Sequence, residues 1–571
     1  MEWVVEEKME GLVVCPANHV PLTPLSFLER AAFVYRENIA LIYGNISYSW
    51  EELHGRCINL ASSLSQLGVI SSGDVVATVA PNVPAQYELH FGVPMAGAVL
   101  SALNTMLDAT TLAQKLQQLE AKIIFVYSDF IGLVLQALAI LQEKDKSCLI
   151  VLIHERNNVK KPPVSSSGPS KILDYQTLLE MGQQPNFKIM YPKNEFDPIS
   201  INFTSGSTGK PKGAVYSHRA AYLNTIADIF RFEMGKSPVF LWTVDMFRCN
   251  GWCLPWTVAA LGGTNICLSE INGKEILDAI YLHNVTHFCG APMILTKIAN
   301  AIGINQPLLP HKVNVTVAGI LPPQEILIKL EKLGFTINHA YGMSEALGPM
   351  ISMPWKCQDE YLSKLNEDVD VKIREGVHNI MMEEVDVKDP ESMESVPADG
   401  KTIGEIMFRG NAMMMGYLKD SSRTEEAFEG GWYRTKDLGI KYANGNIKLK
   451  DRAVDVVKTE GKTISTLEIE GVLIRHPMVL EVAVVARCDD VLGETPCAFV
   501  KLKKGCFVTD EEIIKFCEDW LQDYMVPKAV IFGDLPFNSS GKIQKFILRD
   551  KVNNALKLCL HSVGELPTPS S

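Results

Sequence analysis

Ten consecutive residues, Thr204-Ser205-Gly206-Ser207-Thr208-Gly209-Lys210-Pro211-Lys212-Gly213, combine three glycines, two lysines and four hydroxyls. Glycine lets a backbone turn sharply and approach a ligand closely. Exposed amide N–H groups, hydroxyls and lysine charge are what a polyphosphate needs. The Walker A loop requires Gly-Lys followed by Ser or Thr. Here Pro211 follows Gly209-Lys210, so no hydroxyl stands where that loop would hold magnesium. A solvated Gly/Ser/Lys linker is the plain alternative. Against it, the run follows directly on the apolar segment Ile199–Phe203, with Ala214–His218 behind it.

Further motifs follow in order. They are Met246-Phe247-Arg248-Cys249-Asn250-Gly251-Trp252, Tyr341-Gly342-Met343-Ser344-Glu345, Gly431-Trp432-Tyr433-Arg434-Thr435-Lys436-Asp437, Asp451-Arg452 and Ser540-Gly541-Lys542-Ile543-Gln544-Lys545. With the glycine-rich loop they span most of the chain. Together they resemble the adenylate-forming superfamily of acyl-CoA synthetases, luciferases and peptide-synthetase adenylation domains. The wording around them is most similar to plant acyl-activating enzymes acting on small, medium-chain or aromatic acids.

That resemblance implies ATP, Mg²⁺ and CoA as cofactors and a carboxylic acid as substrate. Thr204, Ser205, Gly206, Ser207, Thr208, Gly209, Lys210 and Lys212 would hold the β- and γ-phosphates. Ser344 would touch the α-phosphate and Glu345 would bind Mg²⁺, a hard cation suited to a carboxylate. The Tyr341 ring would stack on adenine, with Gly319, His339, Ala340, Gly342 and Met343 lining the nucleotide. Asp437 and Arg452 would bind the ribose. Lys542 would bridge the carboxylate and the α-phosphate, and Arg248 would lie near the substrate carboxylate. The acyl pocket is expected from Trp252–Ala259, Cys289–Pro292 and Ala318–Leu321. Bulk at Ile320 and Leu321 points to a short or branched acid.

The elements that must position these residues alternate. Ser49 and Glu52 read as a capping box, followed by Leu53, Cys57, Leu60, Ala61, Leu64 and Leu67 at helical spacing. Strands are predicted at Val75–Ala80, Ile123–Tyr127, Cys148–Ile153, His287–Gly290 and Val313–Ala318. Helices are predicted at Leu112–Leu119, Ile131–Gln142 and after Pro322-Pro323. Alternation with near-continuous apolar strands implies an α/β fold of mostly parallel sheets covered by helices on both faces. The segment Arg156–Lys171 reads as a surface loop. Residues 1–450 are expected to form the large N-terminal domain. Residues 451–571 are expected to form a small α+β lid with its hinge at Asp451: helix Leu467–His476, strands Val479–Ala486 and Thr495–Leu502, and helix Asp510–Gln522.

Composition bounds the function. A net charge of −12 argues against nucleic acid or an anionic membrane as the main partner. The thirteen cysteines show no metal-ligand spacing and suit a reducing compartment. The Glu-rich start resembles neither a signal nor a transit peptide, and no clean apolar stretch reaches membrane-spanning length, Phe91–Leu107 coming nearest. The end Pro569-Ser570-Ser571 is not a Ser-Lys-Leu address, so the cytosol is expected, with the peroxisome as the alternative. A monomer or homodimer is expected.

Three departures from the family pattern stand close to the chemistry. Arg248 replaces a usual His, beside Asp245 with which it could pair. Lys436 replaces a Gly before Asp437, and Glu460 replaces a Gly in the lid. They keep open a weakened nucleotide- or acyl-binding homologue, besides an adenylating enzyme with another acceptor. The leading reading is an acid–CoA ligase.

Overall fold

The structure is a computed structural model. It describes residues 13–563 except 69, 142–147, 155–171, 185, 205–210, 304–305, 320, 355–376, 379, 444, 460 and 538–541. The loop residues Ser205 to Lys210, the Arg156–Lys171 segment, Ile320, Glu460, Ser540 and Gly541 therefore lie outside the described residues.

Two large mixed sheets face one another. One has nine strands and runs through Phe335–Met343, Val313–Ala318, His287–Gly290, Val239–Trp242, Thr264–Cys267 and Ile39–Tyr43. These neighbours are parallel. The other has eight strands and a parallel run Pro198–Thr204, Val99–Ala102, Val75–Val79, Ile123–Tyr127 and Leu149–Ile153. Parallel strands need covering on both faces, which explains their near-continuous apolar sequences. Helix Pro84–Met95 lies in the core between the sheets with all twelve residues buried. That placement accounts for the apolar run that begins at Phe91. Its buried Glu88 accepts hydrogen bonds from Arg56 Nε at 2.5 Å and Nη2 at 3.2 Å, so the charge is paired.

Most sequence-based elements form with small shifts at their ends. The capping box at Ser49 and Glu52 starts helix Trp50–Gln66. Helix Gln324–Leu333 follows the two prolines and ends at Gly334, with φ +122°. A four-stranded antiparallel sheet, Met382–Lys388, Ile403–Gly410, Tyr433–Lys441 and Ile447–Arg452, was not anticipated. Its outer strands mix charged and apolar residues and are buried on one face only. They therefore lack the continuous apolar signature of the parallel strands.

Beyond Arg452, strands Val457–Thr459, Lys462–Ile464, Val479–Asp489, Gly493–Leu502 and Ala529–Phe532 form a separate five-stranded sheet. Helix Thr466–Leu473 packs on it through Ile469 and Leu473, and helix Asp510–Glu518 through Ile513 and Cys517. Asp451 joins this unit to the antiparallel sheet. Its buried carboxylate accepts from Thr466 N and Thr466 Oγ1, both at 2.6 Å, at the start of a helix.

Candidate active site

Two paired strands flank the glycine-rich segment in the sequence. Strand Pro198–Thr204 pairs antiparallel with Lys212–Ser217, placing Thr204 opposite Lys212. Thr204 Oγ1 is buried and has no hydrogen-bond partner among the described residues. An orphaned hydroxyl beside a lysine at the mouth of such a loop fits an incoming phosphate oxygen. Lys212 Nζ lies 4.4 Å from the centroid of the Tyr417 ring and donates to Tyr417 Oη at 3.3 Å. Desolvation lowers the lysine pKa, and the Glu345 charge opposes that.

Tyr417 also donates to Glu345 Oε1 at 2.9 Å. Lys212, Tyr417 and Glu345 thus form one chain of contacts joining strand Lys212–Ser217 to the segment Ser344–Ala346. Tyr216 Oη donates to the Ser344 carbonyl at 2.7 Å, and Cys249 Sγ donates to Ser344 Oγ at 3.3 Å. Tyr216, Tyr417 and Cys249 were not singled out as site residues from the sequence. Tyr216 and Tyr417 lie across from a motif in space with no local pattern to mark them, whereas Cys249 stands inside the Met246–Trp252 motif and only its contact with Ser344 singles it out.

The residues expected to line the nucleotide lie where parallel strands end. Val313–Ala318 and Phe335–Met343 pair so that Ala318 faces Ala340. His339 Nε2 lies 2.6 Å from the Gly319 carbonyl. Gly342 has no room for a side chain, since a Cβ there would sit 2.1 Å from the Gly348 carbonyl oxygen. Tyr341 Oη donates to Asp437 Oδ2 at 2.7 Å, while Arg452 Nε stands 3.6 Å from Asp437 Oδ1. Asp437 and Arg452 are register partners on adjacent antiparallel strands. Burial raises the Asp437 pKa, with Arg452 and the Tyr341 hydroxyl pulling against it.

The segment after Met246-Phe247 is unusual. Cys249, Asn250, Gly251, Trp252 and Cys253 all have positive φ, at 48°, 51°, 58°, 57° and 62°. Trp252 N donates to the Arg248 carbonyl at 3.3 Å, closing the turn. Left-handed backbone costs a side-chain-bearing residue about 1–2 kcal/mol, so tertiary contacts must hold it. Asn250 is fully buried and its Nδ2 donates to Ser200 Oγ on strand Pro198–Thr204. Trp256, just beyond, is buried and its Nε1 donates to the His90 carbonyl at 3.3 Å. Arg248, preceding the turn, donates from Nε to Asp245 Oδ2 at 2.8 Å.

Lys542 comes from the C-terminal unit to the same place. It keeps solvent access, yet protein crowds it closely enough to lower its pKa. The Arg452 charge adds to that lowering and Asp437 opposes it, while Cys249 and Arg248 also act on the ammonium. The structure thus gathers Thr204, Lys212, Arg248, Tyr341, Ser344, Glu345, Asp437, Arg452 and Lys542 around one region. Among the described residues no cluster of three or more His, Cys, Asp or Glu could hold a metal by itself. A single carboxylate, Glu345, suits Mg²⁺ shared with substrate phosphates.

Comparison with known proteins agrees with this assembly. Residues 28–418 match the model of the AMP-binding enzyme family, and residues 468–542 match that of the AMP-binding enzyme C-terminal domain. The chain belongs to the AMP-binding enzyme family. It is 46% identical to "Probable acyl-activating enzyme 21" of Arabidopsis thaliana over 95% of this chain and 97% of that protein. It is 44% identical to 2-methylpropanoate–CoA ligase CCL4 of Humulus lupulus, again over 95% and 97%. Among solved structures, o-succinylbenzoate CoA synthetase from Bacillus subtilis, in complex with its acyl-adenylate intermediate, has the same fold. The TM-score is 0.76 at 21% identity, over 92% of this chain and 98% of that one.

Proposed function

We propose that the protein is an ATP- and Mg²⁺-dependent carboxylic acid–CoA ligase acting on a short or branched acid. The observation that carries this reading is the meeting of Lys542, from the unit beyond Asp451, with Asp437, Arg452, Arg248 and Cys249 of the larger unit. Kinship with a 2-methylpropanoate–CoA ligase supports the substrate class.

A carboxylate is a poor acylating agent because its leaving group is oxide. In the first half-reaction the acid's carboxylate oxygen bonds to the α-phosphorus of ATP and pyrophosphate leaves. In the second, the CoA thiolate bonds to the acyl carbon and AMP leaves. The first step brings two anions together, so neutralising charge and positioning the reactants are the main tasks. Thr204, the loop to Lys210 and Lys212 would hold the β- and γ-phosphates. Ser344 Oγ would donate to the α-phosphate. Mg²⁺, held at Glu345, would supply charge neutralisation at the phosphates. Tyr341 and Arg452 hold the Asp437 carboxylate, which would use its remaining lone pairs on the ribose hydroxyls. Lys542 would neutralise charge between carboxylate and α-phosphate. Asp451 would then serve as the hinge between residues 1–450 and 451–571, letting the lid present another face to CoA. We place the enzyme in the cytosol as a monomer or homodimer; imaging a tagged protein against a peroxisomal marker tests the compartment.

The functional test is pyrophosphate release with ATP, Mg²⁺ and acids from C2 to C16, plus benzoate and hydroxycinnamates, followed by thioester detection on adding CoA. The expected result is release and thioester with C3–C6 acids. Nucleotide binding with no pyrophosphate from any acid would overturn the reading.

A further inference from the structure

The helix that follows Lys542 grips the segment around Asp451, and the chemistry above does not use that grip. Helix Lys545–Val563 opens three residues after Lys542. Its first residue, Lys545, donates from Nζ to Thr466 Oγ1 at 2.7 Å and pairs with Glu470 Oε1 at 2.7 Å. The Thr466 hydroxyl in turn donates to Asp451 Oδ2 at 2.6 Å. Asp451, Thr466 and Glu470 are buried, and the Lys545 side chain is only 13% exposed. One helical turn on, Arg549 Nη2 lies 2.6 Å from Asp455 Oδ1. Lys545 and Arg549, four residues apart, share one helix face. That face therefore holds the chain on both sides of Arg452.

Asp451 straddles the two units. Its backbone pairs with Leu438 in the antiparallel sheet, while its carboxylate faces Thr466 of the C-terminal unit. The short chain from Lys545 back to Lys542 is tied at its other end too. Ile543 bridges to Phe537, and Gln544 N donates to the Pro536 carbonyl at 2.8 Å. Ile543 also packs against a buried cluster that includes Phe499 and Leu548. Lys542 thus stands between an anchor in its own unit and one at Asp451. Arg452 is placed differently, by its strand, as the register partner of Asp437.

We propose that Lys545 is a positioning residue for Lys542: through Thr466 and Asp451 it fixes where the Lys542 segment stands relative to the larger unit, and so aligns the ammonium for adenylate formation. This rests on the ligase reading and adds to it a residue that touches no substrate. In its proposed role Lys542 serves only the first half-reaction, so loss of Lys545 spares the second. Ribose binding is spared as well, because the strand rather than Lys545 places Arg452.

The test compares full-length wild type, Lys545→Met and Thr466→Val. Steady-state pyrophosphate release is measured separately from thioester formation with supplied acyl-AMP and CoA. Both variants should lower kcat for pyrophosphate release by about 10–100-fold, the scale of a misplacement of roughly 1 Å. KM for ATP and for the acid should stay within about twofold, the signature of an interaction made only in the transition state. Thioester formation should be largely kept. Lys545→Met leaves Glu470 buried without its partner, which is costly. If that variant does not fold, Lys545→Met with Glu470→Gln removes both charges and is read the same way. A merely structural role would lower stability and slow both half-reactions alike. Equal loss in both, or unchanged pyrophosphate release in either folded variant, overturns the positioning role and leaves the ligase standing. No pyrophosphate from the wild type with any acid overturns the ligase reading itself, and the positioning role with it.

Discussion

At the scale of single residues, two departures from the family pattern, Lys436 and Arg248, find partners. Lys436 adopts φ +60°, the backbone region glycine favours, and turns its ammonium away to pair with Glu426. The neighbouring Asp437 is left to Tyr341 and Arg452. Arg248 is held by Asp245, its guanidinium 5.4 Å from the Phe247 ring centroid. A permanent cation beside the acyl pocket would attract an anionic acid. Arg248→His should raise the KM for the acid by roughly fivefold, a partly exposed charge being screened by solvent. The KM for ATP should stay nearly unchanged. If steady-state kinetics show only ATP affected, Arg248 does not serve the acyl pocket.

At the scale of elements, the left-handed turn from Cys249 to Cys253 is the feature most exposed to a small change. Gly251 is its one glycine. A Cβ there would lie 2.8 Å from Trp242 Cζ3 and 3.0 Å from Cη2, with φ +58° already unfavourable for a side chain. Trp242 is fully buried and hydrogen-bonded to Asn265, so it has little freedom to yield. Gly251→Ala should therefore cost about 1–3 kcal/mol in chemical denaturation. Pyrophosphate release should also fall, because the same turn carries Arg248 and the Cys249 thiol that reaches Ser344. A variant as stable and as active as wild type would show that the turn relaxes without consequence.

At the scale of the whole molecule, the site exists only because two units meet. The strand pair that flanks the candidate phosphate loop and the residues expected to line the nucleotide belong to the two large sheets, Asp437 and Arg452 to the antiparallel sheet, and Lys542 to the C-terminal unit. Lys542→Ala should slow adenylate formation by about 10²–10³-fold. Thioester formation from supplied acyl-AMP and CoA should be largely spared, because in the proposed role the lysine would neutralise charge only in the first step. Equal loss in both half-reactions would remove Lys542 from that role.

The sequence by itself determined the parts that are local. Thr204 to Gly213 is legible as a candidate phosphate loop because contiguous residue types suit a polyphosphate, Tyr341 to Glu345 and Lys542 as candidates through the family resemblance, and the parallel strands because burial on both faces demands apolar runs. The strand pair that flanks the candidate phosphate loop was legible only as an apolar segment on one side and an ordered one on the other. What only the tertiary structure decided depends on residues far apart in the chain. Lys212 meets Tyr417 and Glu345, Asn250 meets Ser200, and Tyr341 meets Asp437. The left-handed turn belongs here too, since four of its five residues are not glycine and no local preference would choose that conformation. So does the buried Arg231–Asp228 pair, which in sequence is an ordinary i,i+3 salt bridge on a helix surface.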